Sequence, residues 1–223
     1  MMLDPTIDPH DLSVVERVEM VRGSKGVLVE LLRGVEFDGF LDLRGLDDLR
    51  YLPSMKVKRG LYLANNKALE RIEGPLEVGE SLALEGCCRL HSLPNGLRVG
   101  GDLILSRCRE LESFPQGLHV GGDLLAESCW RLRTIHPDLY VGGSLSLKRC
   151  KALEYIPPGI VIGVRLSLLL CFNVKRIPKG IPALRIQMPH DTRIMEWSGA
   201  HWSPDGRTII GPGEKRSEEL ADV

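Results

Sequence analysis

The sequence predicts a mostly β chain of the α/β-solenoid class, its parallel strands stacked coil upon coil, and three observations carry that prediction. Cys87, Cys108, Cys129, Cys150 and Cys171 recur every 21 residues without a break. The same period aligns apolar columns: Val57, Val78, Val99, Val120, Val141 and Ile162; Leu61, Leu82, Leu103, Leu124, Leu145 and Leu166; Leu69, Leu90, Leu111, Leu132, Leu153 and Val174. Glycine and proline keep the same register, at Gly96, Gly117, Gly159 and Gly180, in the glycine pairs 100–101, 121–122 and 142–143, and at Pro94, Pro115, Pro157 and Pro178. A period of this length belongs to a repeat architecture in which each coil buries its apolar face only against its neighbours.

The elements follow in chain order. Residues 11–22 place Val14, Val15, Val18 and Val21 on an amphipathic helix that starts near Asp11 or Ser13. The run Val27–Leu32 suits either strand or helix, and periodicity does not choose between them. Residues 1–39 are thus expected to form a helical cap over a first coil at Phe40–Leu43. Residues 40–188 form about eight coils. Within one coil, Leu103-Ile104-Leu105 alternates in, out and in, as a short strand does. After Cys108 the chain turns, Leu111 and Phe114 point back inward, and Pro115 makes the return segment extended and irregular rather than helical. The single glycines mark the next bend, and the glycine pairs mark the last corner before the following strand. Leu184-Arg-Ile186 is the last expected strand. Residues 189–210, with Ile194, Trp197, Trp202, Ile209 and Ile210 around the turn Ser203-Pro-Asp-Gly-Arg207, read as a C-terminal cap with a hairpin. From residue 211 the composition is that of a solvated, disordered tail.

The segment Leu103-Ile-Leu-Ser-Arg-Cys-Arg-Glu-Leu-Glu-Ser-Phe-Pro115 resembles a leucine-rich repeat, with cysteine where many repeats carry asparagine; Leu61-Tyr-Leu-Ala-Asn-Asn66 keeps the asparagine. Short coils ending in Leu93-Pro94 or Phe114-Pro115 are similar to bacterial repeats, and the spacing Cys87-x-x-Leu90-x-x-Leu93-Pro94 resembles plant immune-receptor repeats. The resemblance covers about residues 40–188. It implies a right-handed solenoid with the parallel sheet on its concave face and an irregular convex side, used as a non-enzymatic scaffold for a protein partner. It also implies an alternative, the targeting module of a bacterial effector or ubiquitin-ligase-type system. About 35 residues follow the last strand, so the catalytic part would then lie on another chain.

Composition narrows the function classes. A net charge of −1 and a pI near 6.6 give no global basic excess for nucleic acid. No apolar run is long enough to span a bilayer, and Met1-Met-Leu-Asp lacks the basic-then-apolar pattern of a secretory signal. The ladder cysteines are read as buried, reduced packing residues suited to a reducing cytosol, with Cys88 facing away from them. A serine at Cys129 would then bury a hydroxyl, costing about 1–3 kcal/mol if it were left unpaired, and an alanine less.

Catalytic and metal chemistry finds little support. Val99-Gly-Gly-Asp102 and Gly211-Pro-Gly-Glu-Lys-Arg-Ser217 lack the spacing of phosphate loops. Cys87-Cys88 and the set His190, Asp191 and His201 lack the spacings of known metal sites. His136 stands where the period calls for proline and has no partner group near it in sequence, so it reads as a local shift in the turn. Trp197 and Trp202 read as covering the last apolar edge rather than anchoring a ligand. No cofactor and no metal are expected.

The candidate site is the outward face of the strands. The register places Asp42 and Arg44, Tyr62 and Ala64, and Ser81, Ala83 and Glu85 there, followed by Asp102, Ile104 and Ser106, then Asp123, Leu125 and Glu127. Ser144, Ser146 and Lys148, then Arg165, Ser167 and Leu169, then Arg185 and Gln187 complete it. The residues expected to bind are Tyr62, Glu85, Asp102, Ile104, Asp123, Leu125, Glu127, Lys148, Arg165, Leu169 and Arg185, because apolar groups recur among mixed charges where solvent alone favours polar ones.

Overall fold

The structure, a computed structural model, describes residues 13–27, 29–174, 177–178, 181, 185–187, 201–202 and 208–210. The N-terminal helix, α1, is Val14–Gly23. Ser13 caps it: its hydroxyl accepts from the Glu16 amide, and the Glu16 carboxylate accepts from the Ser13 amide at 2.8 Å. This reciprocal pair satisfies two amides that the first helical turn leaves without partners. Val18 and Val21, one turn apart, enter the core; Val15 lies off that face and is exposed. The run that follows resolves into a 3-10 turn, Val29–Leu32, with Val29, Leu31 and Leu32 buried. It packs against α1, and the Gly26 backbone lies directly against Leu49 of the first coil.

Beyond this cap the chain winds into about seven turns of parallel strand. Among the described residues one sheet has ten strands. Its parallel members are Leu41–Asp42, Leu61–Tyr62, Leu82–Ala83, Leu103–Ile104, Leu124–Leu125, Leu145–Ser146, Arg165–Ser167 and Arg185–Gln187. Each coil donates to the next, as in Leu103 N to Asp123 O at 2.9 Å and Leu105 N to Leu125 O at 2.7 Å. Thr208–Ile210 closes the series as an antiparallel neighbour of Arg185–Gln187, and His201–Trp202 pairs with it in turn. The expected hairpin strands are therefore present. The turn at 203–207, the tail from 211, and Leu184, Gly180, His190, Asp191, Ile194 and Trp197 lie outside the described residues, as do the side chains of His201, Trp202, Ile209, Ile210 and Arg185.

The return side is more regular than its prolines suggest. A second parallel sheet of seven strands runs through Glu36–Phe37, Met55–Val57, Leu76–Val78, Arg98–Val99, His119–Val120, Tyr140–Val141 and Val161–Ile162. It uses the same alternation as the first sheet: Leu97 and Val99 point inward around Arg98, Leu118 and Val120 around His119, and Leu139 and Val141 around Tyr140. The two are called here the leucine sheet and the valine sheet. Between the cysteine corner and the valine sheet, Tyr51–Leu52 pairs with Arg71–Ile72, and single bridges join Arg71 to Ser92 and Ser113 to Thr134.

Two backbone columns set the corners. At Gly79, Gly100, Gly121, Gly142 and Gly163 a Cβ would overlap the carbonyl oxygen of the equivalent residue one coil earlier, so the chain can stack there only without side chains. The turn just before each ladder cysteine needs a positive φ. Gly45 and Gly86 supply it without strain, and Asn65 at little cost. Arg107, Ser128, Arg149 and Leu170 adopt it at φ of 66°, 61°, 61° and 61°, at about 1–2 kcal/mol each relative to a relaxed backbone.

The cysteine ladder is fully buried, and its thiols are hydrogen-bonded as well as packed. Each Sγ donates to a strand carbonyl of the coil before it: Cys87 to Leu63, Cys108 to Leu84 and Cys129 to Leu105 at 3.2 Å, Cys150 to Ala126 at 3.1 Å, and Cys171 to Leu147 at 2.8 Å. Asn66 heads the column and does the same with its amide, donating to Leu43 O at 2.7 Å while accepting from Leu46 N. Cysteine therefore performs here the bond that asparagine performs one coil earlier. Burial pushes Cys87 and Cys129 up to about 12 and Cys171 to about 11, and raises Cys108 and Cys150 as well.

Candidate functional site: the outer face of the leucine sheet

The middle row of the leucine sheet's outer face is Asp42, Tyr62, Ala83, Ile104, Leu125, Ser146, Ser167 and Gln187, one residue per coil. Tyr62, Ala83, Ile104 and Leu125 are half-buried, so they form a continuous apolar stripe open to solvent on one side. Phe40, one residue ahead of Leu41, joins its end: its ring lies 6.2 Å from that of Tyr62, and Arg59 sits 3.9 Å over its face. Phe40 was not among the expected binding residues. The signal for it was its register, since it holds the same row as Ser81 and Asp102.

The far half of the row departs from expectation. Ser146 and Ser167 are buried, although their register points them outward. Ser146 Oγ donates to Glu127 Oε1 at 2.9 Å, and the Ser167 hydroxyl has no partner among the described residues.

The charges flanking the stripe are of two kinds. Asp42 holds Arg44 through two bonds of 2.9 and 2.6 Å, Glu85 meets Arg107 at 3.8 Å, and Glu127 meets Lys148 at 3.1 Å. The Arg44 guanidinium keeps Asp42 below the usual carboxylate range. Burial works to raise Glu127, but the bonds from Lys148 and Ser146 outweigh it and hold the carboxyl below its ordinary value. Asp102 and Asp123 are different. The Asp123 amide donates to Asp102 Oδ1 at 2.8 Å, and the Ser144 amide donates to Asp123 Oδ1 at 2.6 Å. Both carboxylates thus bridge one coil to the next. A Cβ at Gly122 or Gly143 would overlap these oxygens, which ties these two glycines to the aspartate in the coil before each.

Of the expected set, Tyr62, Ile104, Leu125, Asp102 and Asp123 therefore form one contiguous surface with Phe40. Glu85, Glu127 and Lys148 are engaged in pairs beside it, and Arg165 and Leu169 lie towards the far end. Arg185 is in the strand next to Arg165, its side chain outside the described residues. No group of residues suited to a metal ion occurs among the described residues. His136 does have a partner close in sequence: its Nδ1 lies 2.5 Å from Asp138 Oδ1, and the other oxygen of Asp138 accepts from the Gly117 amide at 2.9 Å. That bond, with His136 itself, keeps the Asp138 carboxyl low. The shift of Pro137 thus introduces a turn-stabilising aspartate where neighbouring coils have Gly117 and Gly159. No helix among the described residues is long and apolar enough to cross a membrane. Comparison with protein families, with curated proteins and with solved structures finds no match.

Proposed function

We propose that the chain is a short-coil leucine-rich repeat scaffold, without enzymatic activity of its own, that binds a protein partner on the outer face of the leucine sheet. The observation that carries this reading is the half-exposed stripe Phe40, Tyr62, Ala83, Ile104 and Leu125, mounted on a hydrogen-bonded ladder and bordered by Asp102 and Asp123. Apolar groups at the centre and charge at the rim are the pattern of a recognition surface. Such a face suits a partner that brings an apolar ridge and basic residues facing the two aspartates. Free thiols throughout the ladder support a reducing, cytoplasmic setting.

The test begins with co-purification and mass spectrometry to identify a partner, followed by titration of that partner against variants. Reversing Asp102 or Asp123 also removes an inter-coil bond, so the cleaner probes are Ile104→Glu and Leu125→Glu. Each is expected to weaken binding about 30-fold, the loss of a central anchor worth about 2 kcal/mol. Lys56→Glu on the valine sheet should leave binding unchanged. Full affinity in both stripe variants would move the interface elsewhere.

A further inference from the structure

From Lys67 to Lys151 the corner that follows each leucine strand carries a strong excess of positive charge. The residue just before each ladder position and the two just after it project outward, and over the stacked coils they include Arg89, Arg107, Arg109, Arg131, Arg149 and Lys151. Lys67 extends the row at one end; the acids in these three columns are Glu110, already engaged by Arg131, and Asp47 and Asp48 in the first coil, beyond Lys67. Lys67, Arg89 and Arg149 form no ion pair among the described residues, and the bridge from Arg107 to Glu85 is long, at 3.8 Å. In a chain of net charge −1 this is a strong local excess.

Two further observations bear on a ligand. Arg107 and Arg149 occupy the positive-φ column in which Gly45 and Gly86 sit without strain. Ser128 and Leu170 hold the same φ, so the strain belongs to the turn, but the exposed arginine side chains are required neither by packing nor by the turn. Trp130, 43% exposed, stands at the centre of the strip with the Arg109 guanidinium 4.5 Å from its ring centre and the Lys151 ammonium 5.5 Å away. The indole thus aligns cations from two neighbouring coils. Beyond Lys151 the strip ends in exposed Leu170 and Phe172, the latter 64% accessible.

We infer that this corner is a second docking surface, for an extended acidic protein segment carrying an apolar residue at one end. Its carboxylates meet Arg107, Arg109, Arg149 and Lys151, and its apolar residue meets Leu170 and Phe172. An acidic peptide fits better than nucleic acid for two reasons. Cations already lie against Trp130, which leaves little platform for a stacked base. Glu85 and Glu127 border the strip on one side and Glu112 and Glu154 on the other, where they would repel the phosphates of a wider polyanion.

The test is fluorescence anisotropy on the full chain with a labelled peptide of alternating Asp and Glu ending in Phe, its Asn/Gln counterpart, and an oligothymidine of equal charge. The acidic peptide is expected to bind at low salt, to weaken about tenfold or more on raising salt from about 50 to about 300 mM, and to bind more tightly than the other two. Arg109→Glu should cost about tenfold with the circular dichroism unchanged, and Arg98→Glu on the valine sheet should cost less than about twofold. Arg149→Gly is the decisive variant: it suits the backbone, so the fold should be at least as stable while affinity drops several-fold. Absence of binding at low salt, an equal loss in Arg98→Glu, undiminished affinity in Arg149→Gly, or tighter binding of the oligothymidine would each overturn the inference.

Discussion

At the scale of single residues, the ladder thiols show how a buried cysteine can act as a hydrogen-bond donor within an apolar column. Cys129 donates to Leu105 O, which also accepts from the Cys108 amide at 3.0 Å. A serine at this site finds the same carbonyl in reach, so the penalty of an unpaired hydroxyl does not arise. An alanine loses the weak donor and the sulfur's packing but leaves Leu105 O bonded. Cys129→Ser and Cys129→Ala are therefore expected to fall within about 1 kcal/mol of each other, each destabilising by about 1–2 kcal/mol. Urea titrations of both variants measure this, and a serine penalty more than about 2 kcal/mol beyond that of alanine would show that the hydroxyl does not reach the carbonyl. Cys88 is half-exposed, outside the ladder, and should be the first thiol to react with an alkylating reagent in native buffer.

Within one coil, the glycines do two different jobs, and substitutions separate them. Gly121 lies where any Cβ meets the Gly100 carbonyl oxygen, part of a backbone that cannot give way as a flexible side chain would. Gly96 has a φ of 71° but open space around its Cβ direction. Gly121→Ala should accordingly destabilise by about 3 kcal/mol or more, and Gly96→Ala by about 1–2 kcal/mol, the cost of backbone conformation alone. Chemical denaturation midpoints read both. Equal effects would mean that the coils can spread apart at the glycine column.

For the whole molecule, the five buried thiols act together on pH. A thiol's ordinary value is near 9, and burial raises all five ladder cysteines above it, Cys171 to about 11 and Cys87 and Cys129 to about 12. Below pH 9 both folded and unfolded chains keep these protons, and the full stability is present. Above it the unfolded chain ionises first, binds fewer protons than the folded one, and stability is lost as pH rises towards 11–12. Each thiol contributes up to about 1.4 kcal/mol per pH unit in that window. Unfolding free energy measured from pH 8 to 11 should fall steeply, and Cys129→Ala should show a slope shallower by one thiol's share. Identical slopes in the two proteins would mean that Cys129 ionises in the folded state as readily as in the unfolded one.

The sequence by itself determined the solenoid, the register of its columns and the inward position of the ladder cysteines, because a period of 21 residues that aligns Leu61 through Leu166 has one stacking solution. It bounded the start of α1 to near Asp11 or Ser13, which the Ser13–Glu16 capping pair then settled, and it determined most of the outward face through the alternation of Leu103, Ile104 and Leu105. The second sheet was also legible, in Leu97-Arg98-Val99 and its repeats, but the prolines and glycines nearby pointed to an irregular return. Only the tertiary structure decided what depends on height and neighbour rather than on register: that Ser146 and Ser167 are buried, that Asp102 and Asp123 accept from the next coil, and that His136 finds Asp138. The thiol-to-carbonyl bonds belong to the same class, as do the cations gathered around Trp130. Residues 21 apart in sequence meet across a single strand spacing of about 4.8 Å, and what they do there is set by side-chain length and by the backbone of the coil beneath.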